Sequence, residues 1–588
     1  MSSDDRPAVP GLLTRLYQLA DSAAAQVATE VDGGAHVTYR ELASRAAAAG
    51  RVVRRRGAGP GTRVALLFDA ADWCDFVVAS YGVWMAGATV VPVPAELPPD
   101  RLRSVLREAE VDLVVTASPA EIPADLVIDP DEWSKAGPEL PSLEPIATAA
   151  DTAAITLTSG TTGRPKLVAA DYGELLALSP DDVVTDDGRH LVLATPVIGT
   201  AAAQAFVVSA VNGARLLVTP SFDPDRHCRL IEDRSVTVLE LVPSSAQALL
   251  RQLPERRPEV SSVRAVVCSS APLPASVFDQ LAASFPAAQV LNVYSLSEGV
   301  SLVNDHASAK PTSLGKPAAD TELRIVGEDG TELERGQVGE IWIRHQDSRP
   351  RRHLSPTPGG TTIHPDGWVA TGDYGRVDDD GYVYFTDRRD DIAVIAGHNV
   401  SSTLVEDVLL RHPAVAEAAV VAVPHQALGQ SLAAQVRLAQ AVDESELYRH
   451  CSKLLQAHER PLRIEVVAEL PYVRSGKIDK AAIRRRLAGQ TVAPGSDAPA
   501  LPLLSIIRNA WSEAAGHRAI GPDDNLREIG NHSLLATMVA AKLSAEVDRH
   551  VPARLVLEAE SIRQLAAHLT TVLADDTLGP RRVIVAGT

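Results

Sequence analysis

The residues best suited to chemistry run from Thr158 to Lys166, as Thr158-Ser159-Gly160-Thr161-Thr162-Gly163-Arg164-Pro165-Lys166. Hydroxyls and bare N–H groups can wrap phosphate oxygens, and glycines let the backbone come close to a ligand. Arg164 and Lys166 supply countercharge. The apolar run Ala153 to Leu157 reads as a strand leading into this loop. The pattern G-x-x-x-x-G-K-[ST] cannot be matched here, so it is not a Walker loop. Three further segments carry reactive types in tight groups. Asn292-Val293-Tyr294-Ser295-Leu296-Ser297-Glu298 offers an aromatic ring, hydroxyls and a carboxylate, and a carboxylate suits a hard cation that keeps most of its waters. Asp373, in Thr371-Gly372-Asp373, can accept from two hydroxyls at once. Lys477, in Ser475-Gly476-Lys477, would be a strong catalytic group if aimed at developing negative charge.

These residues need a scaffold, and the chain is long enough for three to four domains at 588 residues. Strand and helix patterns alternate over residues 38–130. Thr38 and Glu41 are spaced as a capping box for a helix through Arg55. Val64–Phe68 and Val90–Val93 read as buried strands, and Phe76 to Met85 as a helix ending at Gly87. The alternation continues through 191–193, 214–218, 238–242 and 263–267, which implies parallel sheets covered on both faces. From about 321 to 345 the period becomes two, which predicts an antiparallel subdomain. Gly381–Phe385 is a second β-rich patch, followed by a smaller α+β unit. Residues 488–502 are small and Pro-rich and read as a linker. The remaining segment is helical by pattern.

The formal net charge is −19, which argues against nucleic-acid or anionic-membrane partners. Cys74, Cys228, Cys268 and Cys451 form no C-x-x-C pair, as expected of a reduced, cytoplasmic protein without structural zinc. The N-terminus has no secretory pattern, and no apolar run approaches the ~20 residues needed to span a bilayer.

The loop at 158–166, with the later motifs, resembles the adenylate-forming superfamily. That group includes acyl- and aryl-CoA ligases and the adenylation domains of nonribosomal peptide synthetases. The resemblance covers roughly residues 35–485 and implies binding of ATP and Mg2+. It makes Thr158, Ser159, Gly160, Thr161, Thr162, Gly163 and Lys166 the phosphate loop. Asn292 to Glu298 is similar to the family's N-x-Y-G-x-T-E motif, with Ser295 for Gly and Ser297 for Thr. Tyr294 would then pack on adenine, Ser297 contact the α-phosphate, and Glu298 help hold Mg2+. Ser269-Ser270-Ala271-Pro272-Leu273 resembles the G-G-A-P-L turn beside the nucleotide, with two serines for glycines. Asp373 matches the ribose-binding carboxylate, Arg388 the arginine that also reaches the ribose, and Phe385 a position where aromatics are common. Asp390 aligns with the hinge, and Gly397 with the loop facing the thiol substrate. Lys477 matches the lysine that enters the site during adenylation.

By the same resemblance, the acid pocket takes in Gly199, Thr200, Gln204, Glu240, Cys268, Val293, Ser301 and Leu302. Relatives that activate α-amino acids usually place an Asp where Thr200 stands, to pair the ammonium. Its absence implies an aryl, short acyl or hydroxy acid without a free α-amino group. Glu240 leaves a β- or γ-amino acid open, since a buried Glu wants a partner. An α-amino acid, or a CoA ligase using free CoA, is the remaining alternative.

Asp524 to Leu535 resembles the D-N-F-F-x-L-G-G-H-S-L signature of peptidyl carrier domains, with Asn531 for Gly. Ser533 matches the serine that takes 4′-phosphopantetheine. The expected domains are an adenylation core at 1–389, a small subdomain at 390–487, a linker at 488–502, a carrier at 503–575 and a tail at 576–588. The fold class is a large α/β core (two parallel-type sheets plus a β-rich subdomain), a small α+β subdomain and an all-α four-helix carrier. The expected activity is conversion of a carboxylic acid to acyl-AMP, then transfer to the pantetheine thiol. Partners would be a phosphopantetheinyl transferase and downstream condensation, ketosynthase or tailoring enzymes. The segment after the carrier is too short for a reductase, condensation or thioesterase domain, so release is expected to need other proteins.

Overall fold

The computed structural model describes residues 11–574 apart from 118–121, 124–125, 135–146, 159–165, 174–189, 197, 199–202, 204–206, 208–212, 272, 300, 306–309, 311–312, 318–320, 346–350, 355–360, 390, 396–397, 426–428, 474–476, 489–502, 515–520, 522, 524–525, 527–532 and 548–549. Two compact units are distinguished: Met1–Phe385 with Arg474–Lys477, and Thr386–Val473 with Ile478–Thr588.

In the first unit, the seven-stranded sheet runs in the order Arg352–His353, Lys166–Asp171, Thr152–Thr158, Thr89–Pro94, Arg63–Phe68, Leu113–Val115 and Val127–Ile128. Its inner strands are parallel, whereas Lys166–Asp171 is antiparallel to both its neighbours. The helix Tyr39–Arg55 begins at the expected capping box, in which Thr38 and Glu41 satisfy each other's backbone N–H. It lies so close to the helix Trp73–Met85 that a Cβ on Gly82 would stand 2.6 Å from the Ala49 Cβ. Glycine is what permits that approach.

The eight-stranded sheet orders its strands as Ser301–Asp305, Gln289–Ser295, Ala265–Ser269, Val238–Leu241, Leu191–Ala194, Arg215–Val218, Val27–Val31 and His36–Thr38. The five strands from Gln289–Ser295 to Arg215–Val218 are parallel, so their carboxyl ends lie along one edge. In open α/β sheets that edge is where ligands bind. The strand expected at 263–267 runs instead from Ala265 to Ser269, because the Val263 N–H is taken by the Val260 carbonyl in a turn. A third sheet joins Thr321–Val326, Gly339–His345, Val369–Val377, Thr362–Ile363 and Val383–Arg388, antiparallel where 321–345 predicts it.

The second unit holds a sheet of His398–Val400, Ala393–Ile395, Gly429–Leu438, Val415–His425 and Arg463–Val466. Buried Asp387 accepts from the Ser402 and Thr403 backbone N–H groups at 2.5 and 3.2 Å and from the Ser401 and Ser402 hydroxyls at 3.0 Å each. One carboxylate thereby ties a strand end to the start of the helix Ser402–Leu410. Four helices follow among the described residues, Leu503–Ala514, Ser533–Val547, Ala553–Glu558 and Ile562–Ala574. They close on Trp511, Leu535, Val539, Leu543, Leu565 and Leu569. No helix among the described residues is long and apolar enough to cross a membrane.

Candidate active site

The Thr371-Gly372-Asp373 segment is held at every polar position. Buried Thr371 donates its hydroxyl to the Ile341 carbonyl at 2.7 Å and accepts from the Asp373 N–H at 3.1 Å. Gly372 takes φ +75°, a conformation that costs glycine little, and donates its N–H to the Glu340 carboxylate at 2.9 Å. Buried Asp373 is thereby fixed, and its Oδ2 accepts from the Tyr294 hydroxyl at 2.7 Å. Segments 79 residues apart are joined by that bond. Tyr294→Phe is expected to destabilise the first unit by about 1–3 kcal/mol in urea unfolding, because a buried carboxylate loses a donor. An unchanged midpoint would contradict this account of the bond.

Glu298 is buried, and its Oε1 lies 2.9 Å from His353 Nε2. Burial pushes its carboxyl up, but the His353 hydrogen bond and charge, with Lys166 nearby, outweigh this and hold it below the usual range. Lys166 and Thr158 are direct partners on adjacent antiparallel strands, on either side of residues 159–165 in the chain. Arg352–His353 pairs with the same strand as Lys166, which carries His353 to Glu298. Buried Arg351 donates to the Ser297 carbonyl at 2.8 Å. Among the described residues no group of three His, Cys, Asp or Glu could hold a metal ion. Mg2+ bound beside phosphates requires only one or two carboxylates, and an ionised, buried Glu298 fits that role.

Ser270 takes φ +76°, the left-handed region that glycine would occupy without strain. Ala271 follows it, half-buried, and Asn292 is buried with Nδ2 3.5 Å from the Ser313 carbonyl. Phe385 and Tyr294 both pack against the core of the third sheet, where Leu302 is buried.

The expected acid-pocket residues divide. Glu240 pairs in register with Val267, which pairs with Leu291. Side chains level across adjacent strands share a face, so Glu240 lies on the side of Val238, Val267 and Leu291, with Val293 packed there too. Leu239, Leu241 and Cys268 point into the opposite core. The structure therefore does not bring Glu240 and Cys268 to one surface. Glu240 has no hydrogen-bond or ion-pair partner among the described residues, and burial pushes its carboxyl up to about 8. Native Glu240 thus keeps a proton that the unfolded chain releases above about pH 4.3. Stability must fall as pH rises between those two values, since the native state binds more protons there. The melting temperature of Glu240→Gln is expected to gain on that of the parent from about pH 5 to about pH 8. A difference independent of pH would contradict the raised value.

In the second unit, Arg388 ends the strand Val383–Arg388. Lys477 belongs to the first unit and is followed in the chain by Ile478 of the second, which bridges to Tyr472, and the Asp479 N–H donates to the Pro471 carbonyl at 2.8 Å. Asp479 Oδ1 then accepts from the Ala482 N–H at 2.8 Å and caps the helix Lys480–Ala488. Ser533 is the first residue of the helix Ser533–Val547. Ser159, Gly160, Thr161, Thr162, Gly163, Gly199, Thr200, Gln204, Pro272, Asp390 and Gly397 lie outside the described residues, as does the Ser301 side chain.

His353, Arg351 and Glu340 are the contributors that sequence reasoning missed. Each acts through a strand pairing or a hydrogen bond across more than thirty residues. The run Arg351-Arg352-His353 was the available signal, as a cluster of cations in a chain otherwise rich in acids.

The family model for AMP-binding enzymes matches residues 17–348, that for the AMP-binding enzyme C-terminal domain matches 404–477, and that for the phosphopantetheine attachment site matches 505–569. The chain belongs to the AMP-binding enzyme family, as an adenylation domain fused to a carrier domain. It is similar to surfactin synthase subunit 2 of Bacillus subtilis (strain 168), with 26% identity over 91% of this chain but only 16% of that protein. The chain spans a similarly small share, 15%, of tyrocidine synthase 2 of Brevibacillus parabrevis. Feruloyl-CoA synthase of an Amycolatopsis species is 29% identical over 77% of this chain and 94% of its own length. Among solved structures, ATP-bound MatB from Rhodopseudomonas palustris superposes with a TM-score of 0.73 at 25% identity, over 82% of this chain and 99% of that one.

Proposed function

We propose that this protein activates a carboxylic acid without a free α-amino group as an acyl-adenylate and loads it onto its own carrier domain. The observation that supports the reading is the Tyr294–Asp373 hydrogen bond, formed between the two residues expected to meet the adenosine. Tyr294 offers a ring for adenine, and Asp373 keeps a carboxylate for the ribose hydroxyls. Lys166, Ser297 and Glu298 would face the phosphates. Glu298 would hold Mg2+, which neutralises phosphate charge when bound. Lys477 would meet the charge that builds between carboxylate and α-phosphate. Ser533, at a helix start, would hold 4′-phosphopantetheine, which supplies the acceptor thiol. A helix N-terminus tolerates the attached phosphate.

Transfer to free CoA is the second reading, and the similarity to feruloyl-CoA synthase over nearly all of that enzyme favours it. The matched carrier domain at 505–569 favours loading in cis. The substrate argument rests on Thr200, and partners beyond a phosphopantetheinyl transferase are open to docking on the carrier. A pyrophosphate-release screen with Mg-ATP and aryl, acyl, hydroxy, α-amino and β-amino acids tests the activity. A hit without an α-amine is expected. Preference for an ordinary α-amino acid would overturn the substrate reading, and silence with every acid would overturn the activity.

A further inference from the structure

Glu298 is held by a short segment that lies outside every motif assigned to the nucleotide. Residues 351–353 alternate in direction, as an extended chain requires. Buried Arg351 donates to the Ser297 carbonyl at 2.8 Å, and His353 Nε2 lies 2.9 Å from Glu298 Oε1. Arg352, between them, turns the other way and donates to the Thr152 hydroxyl. An ionised carboxylate only accepts hydrogen bonds, so His353 carries a proton on Nε2 and donates it to the bond. Alternate side chains of one segment thus hold two consecutive residues, the expected α-phosphate contact and the expected cation ligand.

The same segment is joined to the strand that leaves the phosphate loop. Arg352 pairs with Ala169 and His353 with Val168, and the Leu354 N–H donates to the Leu167 carbonyl at 3.0 Å. Lys166 begins that strand, and its charge reaches Glu298. A strand only two residues long pairs weakly by itself. The side-chain bonds therefore decide where the segment sits, and with it where the carboxylate points. Stability alone does not call for this arrangement, since packed apolar side chains often serve as well as a buried charged pair. A carboxylate has about four acceptor positions, so the bond from His353 leaves others for a cation. Mg2+ demands near-ideal octahedral geometry, and a partner behind the ligand is what presets its orientation.

We propose that His353 is a positioning residue of the cation site: its ring N–H holds the Glu298 carboxylate in the orientation that meets Mg2+ beside the ATP phosphates, while Arg351 holds the Ser297 backbone next to it. This rests on the nucleotide-binding part of the function proposed above. His353 acts through Glu298 rather than on the nucleotide.

The test is binding of Mn2+, a paramagnetic probe of the Mg2+ site, to the full chain with ATP and no acid, read by electron paramagnetic resonance. His353→Phe keeps a ring and loses the donor. It is expected to weaken Mn2+ binding to the ATP complex by about 10-fold or more, the usual cost of a lost partner behind a metal ligand. His353→Gln keeps an N–H at nearly the reach of Nε2 and is expected to stay within about 3-fold of the parent. A purely structural role would not be rescued in this way. Unchanged affinity in His353→Phe overturns the proposal, and so does a loss in His353→Gln as large as that in His353→Phe. Should His353→Phe fail to fold, His353→Asn, whose amide is too short to reach Oε1, is expected to show the same loss, and unchanged affinity there overturns the proposal. Acid-dependent pyrophosphate exchange by the parent tells the two readings apart. Mn2+–ATP bound without exchange for any acid removes the acid-activating function, and the His353 inference then stands or falls on the variants. A parent that binds no Mn2+–ATP removes both.

Discussion

Lys477→Ala is expected to slow acid-dependent pyrophosphate release by about 10²–10³-fold, the usual cost of removing one positioned group from a developing charge. The lysine follows residues 474–476 and is clamped on its other side. Ile478 bridges to Tyr472, the Asp479 backbone bonds to Pro471, and the Asp479 side chain caps the next helix. A long side chain beside such an anchored segment loses less entropy on reaching its target. Transfer from a preformed acyl-adenylate to the thiol does not build the same charge at the α-phosphate. That half-reaction is expected to stay within a few-fold of the parent. Equal losses in both would contradict a role confined to adenylation and point to a structural defect.

Ser533→Ala is expected to abolish covalent loading entirely while leaving the first turnover of pyrophosphate release intact. The substitution removes one hydroxyl at the start of a helix whose core contacts come from Leu535, Val539 and Leu543. Losing a helix-start hydroxyl costs about 0.5–2 kcal/mol at most, so the carrier should still fold. Radiolabelled acid retained on the protein separates the outcomes. Label that persists on Ser533→Ala would place the acyl group elsewhere, and free acyl-CoA made at an undiminished rate would favour the ligase reading.

Much of the scaffold could be read locally. Thr38 and Glu41 announce their helix because a capping box is a four-residue motif. The period-two run at 321–345 reads as antiparallel strands for the same reason: the signal lies within the segment. Tyr294 and Asp373 were each recognisable in their own motifs, but their hydrogen bond was not, since it depends on how two sheets fold. His353 was invisible because its partner is 55 residues away and its own strand is two residues long. Cys268 and Glu240 looked equivalent by position. Only the register shows that they face opposite sides of the sheet. Ser270 stands where the family motif has glycine, and the chain there adopts the glycine-like φ, which its own residue type does not announce.

In the function proposed above, one chain both activates the acid and carries it. Intact mass of the phosphopantetheinylated protein, taken before and after incubation with Mg-ATP and an acid active in pyrophosphate release, decides whether it does. The predicted result is a mass gain equal to the acid less water, dependent on ATP, reversed by hydroxylamine and absent from Ser533→Ala. An unchanged mass alongside vigorous pyrophosphate release and free acyl-CoA formation would contradict it.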